Sequence, residues 1–133
     1  MSDLIKVVFV DDDKLVCQVV QKFLVSTGKY DVVTFTDSKK GLSYIKNTVP
    51  DVVLLDIHMP GMSGVELLQK IKDDPFTCHI PIAMLTGDDH EDMKDNAMSS
   101  YAEAYILKPA TQESLDNAIS AIVKNMRRPG KIL

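Results

Sequence analysis

The regular alternation of short apolar runs with longer amphipathic segments constrains the fold of this chain more than any other feature. Five runs rich in Val, Ile and Leu predict β-strands at residues 5–10, 32–35, 52–55, 80–85 and 104–107. Their apolar residues are mostly continuous instead of alternating with polar ones, which is typical of strands covered on both faces. The pattern therefore predicts an α/β fold, a parallel sheet with right-handed crossovers and helices on both sides.

Helical periodicity marks the segments between the runs. The first predicted helix is capped by Asp13 and stopped by Gly28, and its apolar face comprises Val16, Val19, Val20, Phe23 and Leu24. A second and a third helix are predicted around residues 42–45 and 65–71, and a last helix, capped by Thr111, over residues 115–126. The polar segment at residues 89–99 predicts a fourth, weakly anchored helix.

Length and composition narrow the class of protein. The chain has 133 residues, of which 45% are hydrophobic and 26% charged, so it suits one packed domain and is not a mainly disordered chain. No apolar run reaches the ~20 residues that span a bilayer, and the acidic start argues against a secretory signal peptide. We expect one domain over residues 1–127, and a tail or the start of a linker to a further domain over 128–133.

Charge and cysteine content disfavour other classes. The net charge of −4 argues against direct nucleic-acid binding, which needs a basic face. Cys17 and Cys78 are too few for a disulfide framework and are both predicted to be structural, and no CxxC or His/Cys cluster indicates zinc. A reducing, cytoplasmic setting is the expectation that follows.

Polar side chains follow four of the predicted strands. The first strand ends in three aspartates at 11–13, the third in Asp56, the fourth in Thr86 and the fifth in Lys108. Active groups in such sheets gather at the carboxyl ends of the strands. The sequence therefore predicts a carboxylate cluster flanked by a hydroxyl and an ammonium group, while Asp13 caps the first helix.

Such a cluster suits phosphoryl transfer onto an aspartate. Clustered carboxylates repel one another unless a cation or a proton intervenes, and an accessible site with only oxygen ligands favours Mg²⁺. A carboxylate beside Mg²⁺ can attack phosphorus, and the hydroxyl and ammonium groups can stabilise the charge that develops on the phosphoryl oxygens. Neither GxxxxGK[ST] nor GxGxxG is present to hold a nucleotide.

Four motifs, in order, carry a resemblance to a known family. They are VVFVDDD, DIHMPGMSG around Asp56, MLTGD after the fourth strand, and AYILKP after the fifth. With these motifs, residues 4–127 resemble the response-regulator receiver domain of two-component signalling, the CheY-like superfamily. The resemblance implies a doubly wound, flavodoxin-like (βα)5 fold with strand order 2-1-3-4-5.

The resemblance also implies the ligands of a metal-assisted phosphoacceptor. Asp56 would accept the phosphoryl group and contact Mg²⁺, for which Mn²⁺ is a substitute. Asp12 would bind the ion directly, Asp11 largely through a coordinated water, and His58 through its backbone carbonyl. The imidazole of His58 need not touch the metal.

A switch is implied around the same site. Thr86 and Lys108 would each bind a phosphoryl oxygen, and the Lys108–Pro109 peptide would be cis. Tyr105 would change rotamer when Thr86 moves, which alters the surface formed by the fourth helix, the fifth strand and the last helix.

Three further positions affect the implied behaviour. His58 and Asp88 are predicted to set the lifetime of the phosphorylated state, because the family tunes water access there. The family usually has a glycine just after the fourth helix, where this chain has Tyr101. A bulky residue disfavours a positive φ, so we expect that turn to be built differently.

The implied function is a phosphorylation-dependent switch that catalyses its own phosphorylation and dephosphorylation and is not otherwise an enzyme. Its partners would be a sensor histidine kinase or histidine phosphotransfer protein, a downstream effector domain or protein, and a second copy in a phosphorylation-dependent homodimer. Neither nucleic acid nor membrane is expected to bind directly. Two alternatives remain open: a Mg²⁺-dependent phosphatase with an aspartyl-phosphate intermediate, and an inert receiver-like scaffold.

Overall fold

The computed structural model describes residues 4–87 and 101–126. Within them the strands are β1 (Ile5–Val10), β2 (Tyr30–Phe35), β3 (Val52–Asp56), β4 (Ile82–Thr86) and β5 (Ala104–Leu107). The helices are α1 (Lys14–Val25), α2 (Ser38–Thr48), α3 (Gly64–Asp73) and α4 (Gln112–Met126). The helix predicted over residues 89–99 lies outside the described residues. None of the helices described is long and apolar enough to cross a bilayer.

The five strands are parallel and lie in the order β2-β1-β3-β4-β5. This arrangement confirms the doubly wound α/β fold and the strand order that the resemblance implied. Asp56 pairs with Leu85, and Thr86 pairs with Leu107. The carboxyl ends of the central strands are therefore level, and side chains that follow them share one edge of the sheet.

Buried side chains form a layer on each face of the sheet. One layer joins β-strand residues such as Phe9 and Leu54 to α1 and α4. The other joins residues such as Val10 and Leu55 to α2 and α3. Because neighbouring strand residues point to opposite faces, both must be apolar, which explains the continuous runs in the sequence.

Helix α1 begins at its predicted cap, with the Asp13 side chain accepting hydrogen bonds from two backbone N–H groups of the first turn. Its buried residues are Cys17, Val20 and Leu24, whereas Val19 is exposed. The prediction that Val19 belongs to the buried face is wrong. The buried face of the helix is centred closer to Cys17. Apolar spacing predicts that a helix has one apolar side, but it does not show which edge of that side meets the core.

Helix α1 ends before Gly28, as predicted, and the φ of 77° at Gly28 serves the turn that leads into β2. Two strand starts differ from the prediction. Strand β2 starts at Tyr30, two residues earlier than predicted. The prediction missed this start because the exposed residue Asp31 separates Tyr30 from the apolar run. Strand β4 starts at Ile82, later than predicted, because Ile80 closes a turn and Pro81 has no N–H for the ladder.

The predictions for Thr111 and for the cysteines have different outcomes. Thr111 caps α4 as predicted, because its Oγ1 accepts a 3.0 Å hydrogen bond from the N–H of Ser114. Cys17 is buried, as expected of a structural cysteine, but Cys78 is exposed. Cys78 lies in the turn between α3 and β4, where its neighbour Thr77 fills the buried position. Its prediction as structural is therefore wrong.

Candidate functional site

Five of the predicted site residues lie at the carboxyl edge of the sheet. Asp11 and Asp12 directly follow β1, and Asp56 and Thr86 are the last residues of β3 and β4. Lys108 directly follows β5, and its backbone N–H donates a 2.8 Å hydrogen bond to the Thr86 carbonyl oxygen. The fold thus brings together residues that are nearly the whole chain apart.

The three aspartates form an acidic cluster. One carboxylate oxygen each from Asp11, Asp12 and Asp56 lies within 4.8 Å of the others. Asp11 and Asp56 are buried, whereas Asp12 is exposed, so the cluster is open to solvent on one side. Hard oxygen donors with an open side suit Mg²⁺, which keeps several waters when it is bound by a few carboxylates. The residues present therefore fit Mg²⁺, the ion that the resemblance implied.

The Asp11 side chain is held in place by the backbone of Asp13. Its Oδ1 accepts a 2.9 Å hydrogen bond from the N–H of Asp13, the cap of α1. Burial raises the pKa of the Asp11 carboxyl above its usual 3.8, and the nearby charge of Asp56 adds to this rise. The Asp13 N–H and Lys108 oppose it. A cation bound between Asp11 and Asp56 would relieve this unfavourable burial of charge.

Lys108 bridges the two buried carboxylates. Its Nζ lies 2.7 Å from Asp56 Oδ1 and 3.4 Å from Asp11 Oδ2. Burial alone would lower the pKa of Lys108, but its hydrogen bond to Asp56 and the charges of both aspartates raise it above 10.5. The lysine is therefore an ammonium ion at neutral pH. The peptide bond between Lys108 and Pro109 is cis.

Thr86 carries a buried hydroxyl without a partner. The residue is fully buried, and its Oγ1 makes no hydrogen bond with the parts of the chain that the structure describes. A buried hydroxyl without a hydrogen bond costs free energy, so such groups commonly face a ligand or a change of state. Its place at the end of β4 puts it on the same edge as the acidic cluster.

The connection between β3 and α3 presents His58 at the rim. The N–H of Gly64 donates a 2.9 Å hydrogen bond to the carbonyl oxygen of Ile57, which closes the base of this connection. Ser63 and Glu66 form a capping box at the start of α3. The His58 side chain is exposed, so its imidazole lies at the solvent side of the site.

The remaining predicted site residues have different positions. Tyr105 lies on β5 and is partly exposed, which leaves room for a change of rotamer. Asp88 lies outside the described residues. Tyr101 is exposed and does not have a positive φ; within the described ranges Val49 is the only non-glycine residue that does.

Sequence reasoning missed three residues that support the site. Ser38 contacts the β3–α3 connection, and Gly64 packs on the backbone of Asp56. The Cys17 thiol donates a hydrogen bond to the Asp11 carbonyl oxygen at 3.2 Å, and burial raises its pKa to about 11. Two sequence features could have drawn attention to these residues. Ser38 is a serine at the start of a helix, and Gly64 is a glycine in the first turn of α3.

Comparison with known proteins agrees with this arrangement. Residues 7–120 match the family model described as the response regulator receiver domain. The heme response regulator HssR of Staphylococcus epidermidis is 36% identical over 121 residues, which are 91% of this chain and 52% of that protein. The phosphate regulon transcriptional regulatory protein PhoB of Pseudomonas aeruginosa is 31% identical over 118 residues, covering 89% and 51%. The chain thus spans about half the length of these relatives.

Solved structures show the same similarity. The CheY-like receiver domain protein of Methanospirillum hungatei has a TM-score of 0.84 and 28% identity, over 96% of this chain and 99% of that one. Chemotaxis protein CheY4 of Vibrio cholerae has a TM-score of 0.82 and 28% identity, over 90% and 98%. The strand order, the acidic edge and the family match lead to one conclusion: the chain belongs to the response regulator receiver domain family of two-component signalling.

Proposed function

We propose that the chain is a switch that accepts a phosphoryl group on Asp56 in a Mg²⁺-dependent reaction. The observation that carries this proposal is the convergence on Asp56 of an acidic pair and an ammonium group, at the same sheet edge as the Thr86 hydroxyl, which has no hydrogen-bond partner among the described residues. Lys108 Nζ lies 2.7 Å from its Oδ1, and Asp11 and Asp12 offer oxygens within 4.8 Å. Each of these groups has a task in phosphoryl transfer to a carboxylate.

The residues divide the work of the reaction. An oxygen of Asp56 forms a bond to phosphorus while the bond between phosphorus and the donor's leaving group breaks. Asp11, Asp12, Asp56 and the His58 carbonyl would hold Mg²⁺, which supplies charge neutralisation for the phosphoryl oxygens. Lys108 binds a phosphoryl oxygen with its ammonium group, and Thr86 donates its hydroxyl to another.

Phosphorylation then changes the surface beside the site. It replaces one negative charge with about two and adds strong acceptor oxygens. Thr86 turns towards the phosphoryl group, and Tyr105 fills the space that Thr86 leaves. Two or three charge-assisted hydrogen bonds, at roughly 1.5–3 kcal/mol each, are of the order needed to reverse a two-state equilibrium from 1:99 to 99:1, about 5.5 kcal/mol.

The switch passes a signal between two proteins. The phosphodonor is a histidine kinase or a histidine phosphotransfer protein, whose imidazole takes up a proton as it leaves phosphorus. The output is an effector domain or protein that binds the surface of β5 and α4, or a second copy of the chain. The relatives HssR and PhoB are response regulators about twice as long as this chain, which supports an effector as the output. His58 and Asp88 set how fast water removes the phosphoryl group.

Phosphoryl uptake with a small donor tests the proposal. Parallel samples of the chain are incubated with acetyl phosphate, one with Mg²⁺ and one from which EDTA has removed Mg²⁺. Intact mass and base-labile label are then measured in both samples. We expect one added phosphoryl group, localised to Asp56 and absent without Mg²⁺. Asp56→Asn is the matched variant, because it keeps the shape of the side chain and removes the nucleophile.

Three outcomes separate the alternatives. Label on Asp56 that decays slowly supports the switch, whereas turnover of phosphate esters with a saturable rate supports a phosphatase. Absence of label in a folded protein that binds Mg²⁺ supports an inert scaffold and contradicts the proposal.

Lys108→Met is expected to lower the labelling rate by more than tenfold, because a charge-assisted bond worth roughly 1.5–3 kcal/mol is lost in the transition state.

A further inference from the structure

Ser38, the first residue of α2, holds the connection that carries His58. Its Oγ donates a 2.9 Å hydrogen bond to the carbonyl oxygen of Met62 and lies 3.6 Å from Met59 Sδ, a second acceptor. Ser38 and Met59 are both buried. The β3–α3 connection is thus fastened to a different helix, 24 residues away in sequence at Met62.

The contacts of Ser38 fall within the connection, between its two fixed ends. The base of the connection is closed between Ile57 and Gly64, and the capping box fixes its last residue. Pro60 and Gly61, in the middle, are exposed. His58 therefore lies between a point fixed by the sheet and Met59, which Ser38 contacts.

We propose that Ser38 is a positioning residue that tunes Mg²⁺ affinity by fixing the backbone that presents the His58 carbonyl. The inference rests on the proposed function, in which that carbonyl is a ligand. Mg²⁺ requires near-ideal octahedral geometry, so small rotations of one carbonyl weaken binding. Residues that orient metal ligands through hydrogen bonds commonly change affinity when replaced.

The test compares Ser38→Ala with Ser43→Ala, the same change at an exposed position of the same helix. Mg²⁺ affinity is measured by calorimetry, and amide hydrogen exchange of residues 58–62 is measured without metal. Ser38→Ala should weaken Mg²⁺ binding roughly threefold to tenfold and speed that exchange. Labelling with acetyl phosphate should fall at low Mg²⁺ and recover when Mg²⁺ is saturating. Ser43→Ala should change none of these.

The outcomes distinguish this inference from the proposed function. A wild-type chain that binds no Mg²⁺ contradicts the proposed function itself. A wild-type chain that binds Mg²⁺, together with a Ser38→Ala variant of equal affinity, contradicts only the role of Ser38, even if the variant melts at a lower temperature. Met59→Leu removes the sulfur acceptor and keeps the apolar volume; it should give a smaller loss of affinity, and provides the same test if Ser38→Ala does not fold.

Discussion

Gly64, the first residue of α3, packs directly against the backbone of Asp56, the last residue of β3. A Cβ at position 64 would lie 2.8 Å from the Asp56 carbonyl carbon and 2.9 Å from Ile57 Cα. These are backbone atoms, so no flexible side chain can move aside. The glycine is therefore what allows α3 to start against the strand that ends in Asp56, the proposed phosphoacceptor.

Gly64→Ala should displace Asp56 as well as destabilise the fold. Overpacking of this kind costs about 1–3 kcal/mol, and we expect the upper part of that range in chemical denaturation. Labelling of Asp56 should fall in the fraction that remains folded. Gly87→Ala is the control, because a Cβ there meets nothing within 4 Å; it should change stability by less than about 0.5 kcal/mol. Equal effects of the two variants would contradict the argument.

Thr86→Val should stabilise the unphosphorylated protein. The variant replaces a buried hydroxyl, for which the described residues provide no hydrogen-bond partner, with a methyl group of similar size. Leaving such a hydroxyl unpaired costs roughly 1–3 kcal/mol. We expect the free energy of unfolding to rise by about 1 kcal/mol. Beryllofluoride, a phosphoryl analogue, should stabilise the variant less than it stabilises the wild type.

Thr77→Val is the matched control for that prediction. Thr77 is also fully buried, but its Oγ1 donates a 2.7 Å hydrogen bond to the Ile71 carbonyl oxygen. Its replacement removes this short bond and leaves the oxygen with the longer, 3.4 Å bond from the Asp74 N–H, so stability should fall by about 1 kcal/mol. Both variants are measured by urea unfolding. If both destabilise the protein, the hydroxyl of Thr86 is already paired.

Lys108→Met should destabilise the metal-free protein more than Lys29→Met does. The first change leaves Asp11 and Asp56 buried without their counter-ion, whereas Lys29 pairs with Asp116 on an exposed surface. Lys108 is itself 29% exposed, so we expect a loss of roughly 1–3 kcal/mol, below the full cost of breaking a buried pair. The exposed pair should contribute less than about 1 kcal/mol. Saturating Mg²⁺ should restore part of the stability lost in Lys108→Met.

Asp11→Asn should stabilise the metal-free protein at neutral pH. The pKa of Asp11 is raised by burial in the folded state, so the folded protein holds this proton more tightly than the unfolded chain does. The charge on Asp11 therefore lowers stability as pH rises through the folded-state pKa, and below 3.8 the carboxyl is protonated in both states. The gain from asparagine should be about 1 kcal/mol at pH 7.5.

A pH series of melting temperatures checks the Asp11→Asn prediction. The difference between the variant and the wild type should shrink as pH falls from 7.5 towards 4, because the wild-type carboxyl then takes up its proton. The variant should also lose most of the stabilisation that Mg²⁺ gives the wild type, since it lacks one acidic ligand. A difference that is constant with pH would show that Asp11 is not the group responsible.

The sequence predicted most of the fold because the sheet is covered on both faces. Strands of that kind must be apolar at every position, so runs such as Val52–Leu55 stand out from the amphipathic helices around them. The same pattern predicted the site, since Asp56 and Thr86 are the polar residues that end such runs. The boundaries of β2 and β4 were harder to predict. Asp31 is an exposed polar residue inside β2, so the apolar run is shorter than the strand. Pro81 belongs to an apolar run but has no N–H to donate, so the run is longer than β4.

Contacts between distant residues set the limit of prediction from sequence. Ser38 looks like an ordinary residue at a helix start, and only the packing of α2 on the β3–α3 connection gives its hydroxyl two acceptors. Val49 ends α2 with a φ of 48°, a conformation that usually favours glycine or asparagine. The sequence preference at such a position points away from valine, so this turn was not predictable.

The order of the strands has a consequence for synthesis of the chain. The acids are supplied early, by β1 and β3, but their counter-ion Lys108 follows β5, the last strand. A growing polypeptide on the ribosome therefore carries these acids without their counter-ion until β5 and Lys108 have emerged. In the proposed function, phosphoryl uptake therefore has to wait until β5 docks beside β4 and brings Lys108 to the acids.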